Sequence, residues 1–350
     1  MSLWSRLYRG ETTIDFISDR RRYFAISLAL IAISAVSLLV RGLDGSVDFT
    51  GGTIIEAENR TGAEAGDILD ALAPFGLGSV KVQFTGSNRV RVQTESVATS
   101  EQDALVTAVA DAVGVAFDET NVDSVGPTFG SEITRRAITA LIWFVIVVAV
   151  FITVRFEWKM SAAALTALFH DLVITAGIYS VVGFQVTPAT VIAVLTILGY
   201  SLYDTVVVFD KMKENVRDLT GRHTFTEIAN LSMNQVLMRS INTSLTSLLP
   251  IGSLLFVGSF LLGATTLREF ALALFIGVAA GTYSSIFVAT PLLTIWKERE
   301  PKWERMRRRA VRRGAAVGPS IDGEAVVEMA AEIRDTGAAP RPPRKRRKRR

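Results

Sequence analysis

The sequence contains no cysteine and only two histidines, His170 and His223. The absence of cysteine excludes a disulfide framework, thiolate chemistry and cysteine-ligated metal sites. Two histidines are too few for a histidine-rich metal cluster, so we expect no metal and no cofactor. The chain also lacks the phosphate-loop lysine motif, the H-E-x-x-H helix and the G-x-S-x-G turn. We therefore expect neither nucleotide hydrolysis nor a hydrolase triad, and no enzyme.

Apolar residues, in contrast, are abundant and grouped. They make up 49% of the chain, and the mean hydropathy of +0.34 is high for a soluble domain. Several apolar blocks reach the ~20 residues that a helix needs to cross ~30 Å of hydrocarbon. The sequence therefore predicts a polytopic α-helical membrane protein.

Six membrane-spanning helices are predicted, at residues 23–41, 137–154, 162–182, 188–209, 236–257 and 267–296. The first follows three arginines, as the core of a signal peptide does. It is long for such a core and no small-residue cleavage site follows it, so we interpret it as an uncleaved helix. Outside the spans, the sequence predicts a polar N-terminus at 1–22, a separate domain at 42–134, a polar loop at 210–235 and a basic, disordered tail at 297–350.

The segment 42–134 predicts a separate acidic domain, with fifteen Asp and Glu residues against four Lys and Arg residues. Alternation of apolar residues indicates strands, and helical spacing indicates two amphipathic helices. The resulting order, β-α-β-β-α-β, favours a ferredoxin-like α+β fold. The strands are expected at 46–58, 80–84, 89–94 and 120–125, with a hairpin turn at 85–88, and the helices at 63–75 and 101–113.

Basic residues predict the orientation of the chain. They cluster in the N-terminus, the 155–159 turn, the 210–235 segment and the C-terminal tail, whereas the short connections 183–187 and 258–266 carry none. By the positive-inside rule, both termini are cytoplasmic and the acidic domain lies outside. The tail ends in eight basic residues within Arg341–Arg350. Its charge alone suits anionic lipid, or ribosomal RNA, and no specific nucleic acid.

Asp204 is the first candidate functional residue because it lies inside the fourth apolar span. A central carboxylate costs about 3 kcal/mol on membrane-insertion scales, so a chain that keeps one generally uses it. Ser201, Asp204 and Thr205 share one helix face, which suits the interior of a bundle. The alternative is that Asp204 reaches the cytoplasmic head groups, although an aspartate side chain is short for this.

Arg239 is the natural counter-ion, since it enters the fifth span from the side of the membrane on which Asp204 lies. It is followed by a polar run that includes Asn242 and Thr243. A simple flanking residue of the positive-inside kind is the alternative, but such a residue needs no polar run after it.

Two further groups lie within spans. His170 and Asp171 interrupt the third span, and because adjacent helical residues point about 100° apart, they are expected to face different neighbours. Either proton transfer by histidine or a structural polar contact accounts for this pair. Gly277 and Gly281 form a G-x-x-x-G motif that Ser285 extends, which is typical of close helix packing.

Taken together, these segments resemble the SecF subunits of the SecD/SecF family, within the resistance-nodulation-division superfamily. The resemblance covers about residues 15–300 in one order, and Tyr203 departs from it where many relatives have Asn. It is carried by V-D-F-T-G-G-T at 47–53, V-G-P at 125–127, H-D at 170–171, G-Y-S-L-Y-D-T-V-V-V-F-D at 199–210, E-N at 214–215, Arg239 with N-T-S at 242–244, and G-T-Y-S-S-I at 281–286.

The resemblance implies a subunit of the bacterial cell membrane that acts with SecD and the SecYEG channel. Such a complex would use the proton gradient to complete export of preproteins, and Asp204 and Arg239 match the positions linked to proton coupling. Two alternatives stay open: a static scaffold of the same complex, and a half-sized lipid or drug exporter of the superfamily.

Overall fold

The computed structural model describes residues 14–85, 88–220, 223–261 and 265–312. Within these ranges, six helical segments are long and apolar enough to cross a membrane. The prediction of six spanning helices is confirmed, and the protein is a multi-pass membrane protein with a small sheet region.

In chain order, the elements are α1 Arg20–Val40, β1 Asp44–Gly45, α2 Val47–Thr50, β2 Gly52–Glu58, α3 Ala65–Leu72, β3 Val80–Thr85, β4 Arg89–Thr94, α4 Thr99–Val113, β5 Asn121–Val125, α5 Pro127–Arg155, α6 Trp158–Val182, β6 Gln185–Val186, α7 Pro188–Leu219, α8 Phe225–Ser253, α9 Thr265–Ser284, α10 Thr290–Glu298 and α11 Pro301–Arg312. A π-helical segment, Leu254–Leu261, continues α8. A π-helical turn, Ser285–Ala289, joins α9 to α10, so these two helices form the sixth span.

The inserted domain between α1 and α5 contains a four-stranded antiparallel sheet in the order β3-β4-β2-β5. On β2 and β4, alternate residues point to one face of the sheet, where Ile55 and Val92 are fully buried. There they pack against Ile68 of α3 and Leu105 of α4. Two helices thus cover one face of the sheet, which is how an antiparallel sheet of this size obtains its core.

The first predicted strand, 46–58, is shorter in the structure. Residues Val47–Thr50 form a helical turn, and the strand begins at Gly52. Gly51 has a φ of +78°, and a Cβ there would lie 2.7 Å from the Cα of Pro127. A glycine is therefore required where the chain changes direction against the start of α5.

A short parallel bridge ties the inserted domain to the helix bundle. Gly45 of β1 pairs with Val186 of β6, and the amide of Ser46 donates to the carbonyl of Val186 at 2.9 Å. Nearby, the side chain of Gln185 donates to that of Gln93 at 2.5 Å. Because β6 directly precedes α7, the domain is connected to the start of the fourth span. We call this end of the bundle the insert end.

The helices of the bundle differ in how much of their surface they bury. α7 packs closely against α9, and α1 against α6. Glycine permits the second contact, since a Cβ at Gly177 would lie 2.1 Å from the Cβ of Ser34. In contrast, α5 leaves most of its apolar side chains exposed, which suits a helix at the edge of the bundle.

The prediction that residues 210–235 form a loop is wrong for most of the segment. Helix α7 continues to Leu219 and α8 begins at Phe225, so both extend into it. Met212 and Leu219 are buried against the start of α8. An amphipathic helix can continue beyond the apolar span because one face still finds a core. The expected starts of two spans move the most: α8 begins at Phe225 instead of 236, and α5 begins at Pro127 instead of 137.

At the end of the bundle opposite the insert end, residues 14–18 precede α1 and contact α8. The side chain of Asn234 accepts from the amide of Ile14 at 2.9 Å and donates to its carbonyl at 2.8 Å. Asn230, one turn earlier, accepts from the amide of Phe16 at 3.0 Å. Two asparagines therefore recognise backbone groups of this segment.

The prediction that the tail 297–350 is disordered is wrong for its first part, since α11 is helical and Trp303 is buried against Phe225 of α8. The segments 1–13 and 313–350, which include the rest of the tail, and residues 86–87 of the expected hairpin turn lie outside the described residues.

Candidate functional site

Asp204 and Arg239 lie near the middle of two consecutive antiparallel helices. Asp204 is in the central part of α7, Pro188–Leu219, and Arg239 is in the central part of α8, Phe225–Ser253. With a rise of about 1.5 Å per residue, both residues lie roughly 20 Å from the connection between these helices. This agrees with the similar depth that the sequence predicts. Asp204 is only 4% exposed, and its neighbours Ser201 and Thr205 are buried too.

The partner of Asp204 is Ser240. Its hydroxyl donates to Oδ1 of Asp204 at 2.7 Å. The other oxygen, Oδ2, is buried and has no hydrogen-bond partner among the described residues. A buried carboxyl group thus has a single hydroxyl contact, which is a small offset for the cost of burying a charge.

We expected a direct ion pair between Asp204 and Arg239, and this prediction is wrong. Within the described ranges, the two side chains form no ion pair with each other. Nη2 of Arg239 instead donates to the hydroxyl of Tyr203 at 2.7 Å, and its guanidinium carbon lies 5.7 Å from the Tyr203 ring centroid. Adjacent helical residues point in different directions. Ser240 faces the interior and Asp204, so Arg239 faces outward, where Tyr203 is 48% exposed.

Asp171 forms a second buried site and joins three helices. Its Oδ2 accepts hydrogen bonds from Ser201 of α7 at 2.6 Å and from Ser284 of α9 at 2.8 Å. Its Oδ1 lies 3.0 Å from Nδ1 of His170. Asp171 is fully buried, so this carboxyl group, unlike that of Asp204, has both oxygens in polar contact.

The ring of His170 contacts the same helix as Asp171, although at a different residue. It stacks on Tyr283 of α9 with the ring centroids 6.2 Å apart. Nε2 of His170 is buried without a hydrogen-bond partner in the described part of the chain. Around it, Leu30 and Phe275 contribute to an apolar groove.

Glycine brings α9 close enough to α7 for these contacts. A Cβ at Gly281 would lie 2.8 Å from the Cβ of Ser201, and a Cβ at Gly277 would lie 2.3 Å from Cδ1 of Ile197. Next to this contact, the hydroxyls of Ser285 and Thr205 lie 2.8 Å apart. The G-x-x-x-G motif therefore lies where the two helices meet, and the hydroxyl contacts depend on the small glycines.

The predicted site residues that follow Arg239 in the polar run do not reach the carboxylates. Asn242 is exposed. The hydroxyl of Thr243 donates to carbonyl oxygens of its own helix, at Arg239 and Ser240. The polar run after Arg239 therefore divides between the surface and the helix backbone.

Sequence reasoning missed Ser240, and it included Ser244 only as part of the polar run after Arg239. These residues are four apart on α8, and the hydroxyl of Ser244 lies 2.8 Å from that of Thr282. Their i, i+4 spacing beside Arg239 is the signal that could have identified them. Sequence reasoning also left Tyr203 without a role, although in the structure it is the hydrogen-bond acceptor of Arg239.

The arrangement places two carboxyl groups, Asp171 and Asp204, in the apolar interior, where both lie near Ser201. Within the described residues, no group of three or more potential ligands could hold a metal ion. Ionisable residues inside membrane helices are typical of substrate and ion pathways. The fold and the site together define a multi-pass membrane protein with ionisable groups inside its helix bundle.

Comparison with known proteins identifies the family. The profile described as "Protein export membrane protein SecD/SecF, C-terminal" matches residues 105–299. A Streptomyces coelicolor protein named "Protein translocase subunit SecF" is 42% identical over 338 residues, which cover 93% of this chain and 88% of that protein. A Mycobacterium tuberculosis protein of the same name is 42% identical over 336 residues, or 91% and 75% of the two chains. The chain belongs to the SecD/SecF family of protein-export membrane proteins.

Solved structures agree with this assignment. The crystal structure of SecDF from Thermus thermophilus, described as a translocon-associated membrane protein, matches with a TM-score of 0.75 and 32% identity. The match covers 85% of this chain and 40% of that one, so this chain spans less than half of the SecDF polypeptide. A second SecDF structure, in a super-membrane-facing form, matches with a TM-score of 0.60.

Proposed function

We propose that this chain is a SecF-type subunit of the Sec translocase that couples proton movement through the membrane to late-stage preprotein export. The observation that carries the proposal is the position of Asp204. It is a buried carboxyl group at mid-helix with Ser240 as its one hydroxyl partner. The guanidinium of Arg239, the residue before Ser240, bonds to Tyr203, the residue before Asp204. The family supports protein export, and the chemistry of Asp204 supports the coupling.

The proposed switch has two arrangements. Arginine keeps its charge at any working pH, so Asp204 is the partner whose charge changes. An ionised Asp204 attracts Arg239 into an ion pair, and protonation releases it. The present arrangement, with Arg239 on Tyr203 and Asp204 on Ser240, is the one expected for a neutral Asp204.

The available energy suffices for such a switch. A membrane potential of ~150–200 mV supplies about 3.5–4.6 kcal/mol for each proton that crosses it. This amount shifts a two-state equilibrium by roughly three decades. A single protonation at Asp204 can therefore change which helix arrangement predominates.

Movement of α7 reaches the inserted domain through the bridge between β6 and β1. We propose that this domain is ferredoxin-like, because its order β3-β4-β2-β5 with two helices on one face fits that fold. Since the bridge joins it to the start of α7, a shift of the helix would move the domain against the exported chain.

The orientation follows from charge. We propose that the protein lies in the bacterial cell membrane with both termini in the cytoplasm and the acidic domain outside, because the basic residues concentrate on the side of the termini. The tail within 297–350 would then face anionic lipids of the inner leaflet.

The proposed partners are SecD and the SecYEG channel. Arg239 and Tyr203 face outward from the bundle, and a guanidinium facing lipid costs about 3 kcal/mol. A second membrane subunit at the α7–α8 face removes this cost. The match to SecDF, of whose chain the aligned part is only 40%, supports SecD as that subunit.

The test is Asp204→Asn. The asparagine carbonyl can still accept from Ser240, so the interhelical contact is kept while the ionisable group is lost. Proton-driven export into membrane vesicles should disappear, while membrane insertion and assembly with the partner persist. A static scaffold, the alternative that these interhelical contacts also allow, would leave gradient-stimulated export in the variant unchanged.

A further inference from the structure

We propose that Tyr203 is a positioning residue that holds Arg239 away from Asp204 and thereby sets the pH at which the switch operates. This inference rests on the function proposed above, and it assigns the regulation of that site to the neighbouring tyrosine. In this proposal, the Tyr203 hydroxyl accepts a hydrogen bond from Arg239 when Asp204 is neutral, and this bond breaks when Asp204 is ionised.

The geometry consists of two neighbouring bridges between α7 and α8. The hydroxyl of Ser240 donates to Asp204, and the guanidinium of Arg239 donates to Tyr203, each at 2.7 Å. Consecutive residues on one helix thus contact consecutive residues on the other. One bridge lies inside the bundle and the other lies at its surface.

Tyr203 offers two contacts to Arg239. Its hydroxyl oxygen accepts the hydrogen bond, and its ring lies 5.7 Å from the guanidinium carbon, within the range of a cation–π contact. A neutral carboxyl group at Asp204 offers no charge to compete with these contacts. An ionised carboxylate does, because it adds the attraction between opposite charges to the hydrogen bond that the charged guanidinium donates. Tyr203 and Asp204 therefore compete for the same cation.

The surroundings contain few other charges that could dominate this competition. The helices packed against the middle of α7 bring hydroxyl groups from α9, and a histidine and a second carboxyl group from α6. The remaining charged groups lie nearer the two ends of α7. One is an arginine of α5 that forms a salt bridge with α7, and the others lie in the first turns of α9. In order of helix, the ionisable groups are Arg155 of α5 paired with Asp210, His170 and Asp171 of α6, Arg239 of α8, and Arg268, Glu269 and Tyr283 of α9.

The direction of the effect of Tyr203 follows from this competition. Removing the tyrosine hydroxyl weakens only the arrangement in which Asp204 is neutral. The population of the arrangement in which an ionised Asp204 pairs with Arg239 then increases. A higher proton concentration is therefore needed to protonate Asp204 and break the ion pair. Loss of this acceptor should therefore move the operating pH downward.

The experiment measures proton-driven export into vesicles against pH for the complete complex. Tyr203→Phe keeps the ring and removes the acceptor, and we expect its half-maximal pH to fall by about one unit, a tenfold change in proton concentration. Tyr203→Gln, which restores an acceptor oxygen, should recover most of the shift. The matched control is Tyr200→Phe, one helical turn earlier on α7, because the Tyr200 hydroxyl has no hydrogen-bond partner within the described ranges.

Each outcome decides the proposal. A pH profile of Tyr203→Phe that shifts downward while that of Tyr200→Phe coincides with the parent supports it. Coinciding profiles for all three proteins, together with loss of export in Asp204→Asn, overturn the role of Tyr203 and leave the proton switch standing. Gradient-stimulated export in Asp204→Asn overturns both, because Tyr203 then has no switch to regulate.

Discussion

Ser284 of α9 donates a hydrogen bond of 2.8 Å to the carboxyl group of Asp171 on α6. Ser201 of α7 donates to the same oxygen. One buried side chain thus holds together three helices of the bundle, one helical turn of α7 away from the candidate switch residue Asp204. The first prediction concerns this junction.

Asp171→Ala should destabilise the bundle strongly. The change leaves two buried hydroxyl groups without their acceptor, and we expect a loss of about 3 kcal/mol in the free energy of unfolding. Asp171→Asn keeps an acceptor oxygen and should lose less. Thermal unfolding of the purified protein in detergent measures both. Thr196→Ala is the control, since Thr196 is exposed and bonds to its own helix; equal losses in all three variants would contradict the role of Asp171.

Gly281→Ala tests the close contact between α7 and α9. A methyl group at this position would lie 2.8 Å from the Cβ of Ser201, so the helices must move apart, at a cost of about 1–3 kcal/mol. Gly199→Ala, on the partner helix α7, is the matched control because its Cβ would meet no atom within 4 Å. We expect the first variant to unfold at lower temperature and the second to match the parent or exceed it slightly. The reverse order would mean that the glycines do not set the helix spacing.

How far the sequence predicts this structure depends on the kind of signal. Six spans follow from apolar blocks because each block must fill the same hydrocarbon thickness. The Gly277 and Gly281 motif likewise indicates close packing wherever its partner lies. The last turns of α7 and the first turns of α8 were not predicted. The residues beyond Phe209 are largely polar, although they still bury one face of each helix.

The site was predicted in its residues but not in its contacts. Asp204 and Arg239 are near in depth because they lie on consecutive antiparallel helices at similar distances from the connection. Which of two adjacent residues faces inward depends on helix rotation, and packing sets that rotation. For this reason Ser240, and not Arg239, contacts Asp204.

Asn234→Ala should loosen the segment that precedes α1. Asn234 bonds both backbone groups of Ile14, so its loss frees the segment while leaving the core of α8 intact. We expect faster hydrogen exchange at the amide of Ile14, by about tenfold for one lost hydrogen bond. Asn242→Ala changes an exposed asparagine on the same helix and should leave the exchange rate unchanged. Equal rates in the two variants would show that the contact does not hold the segment.

A disulfide between Gly45→Cys and Val186→Cys tests whether the inserted domain moves together with the start of α7. These positions are paired in register, and the chain has no other cysteine to interfere. If the domain and the β6 connection move as one body, the oxidised protein should export as well as the reduced one. Export that fails on oxidation and returns on reduction would mean that the bridge must open. Each single-cysteine variant serves as a control.

The most direct measurement of the central claim is the position of the Arg239 side chain in experimental structures of the assembled complex at two pH values. At acidic pH, where Asp204 is protonated, the guanidinium should remain on the hydroxyl of Tyr203, as it is here at 2.7 Å. At alkaline pH, it should lie within about 4 Å of the Asp204 carboxylate, the usual limit of an ion pair. An Arg239 that stays on Tyr203 at both pH values, with Asp204 still on Ser240, would contradict the switch.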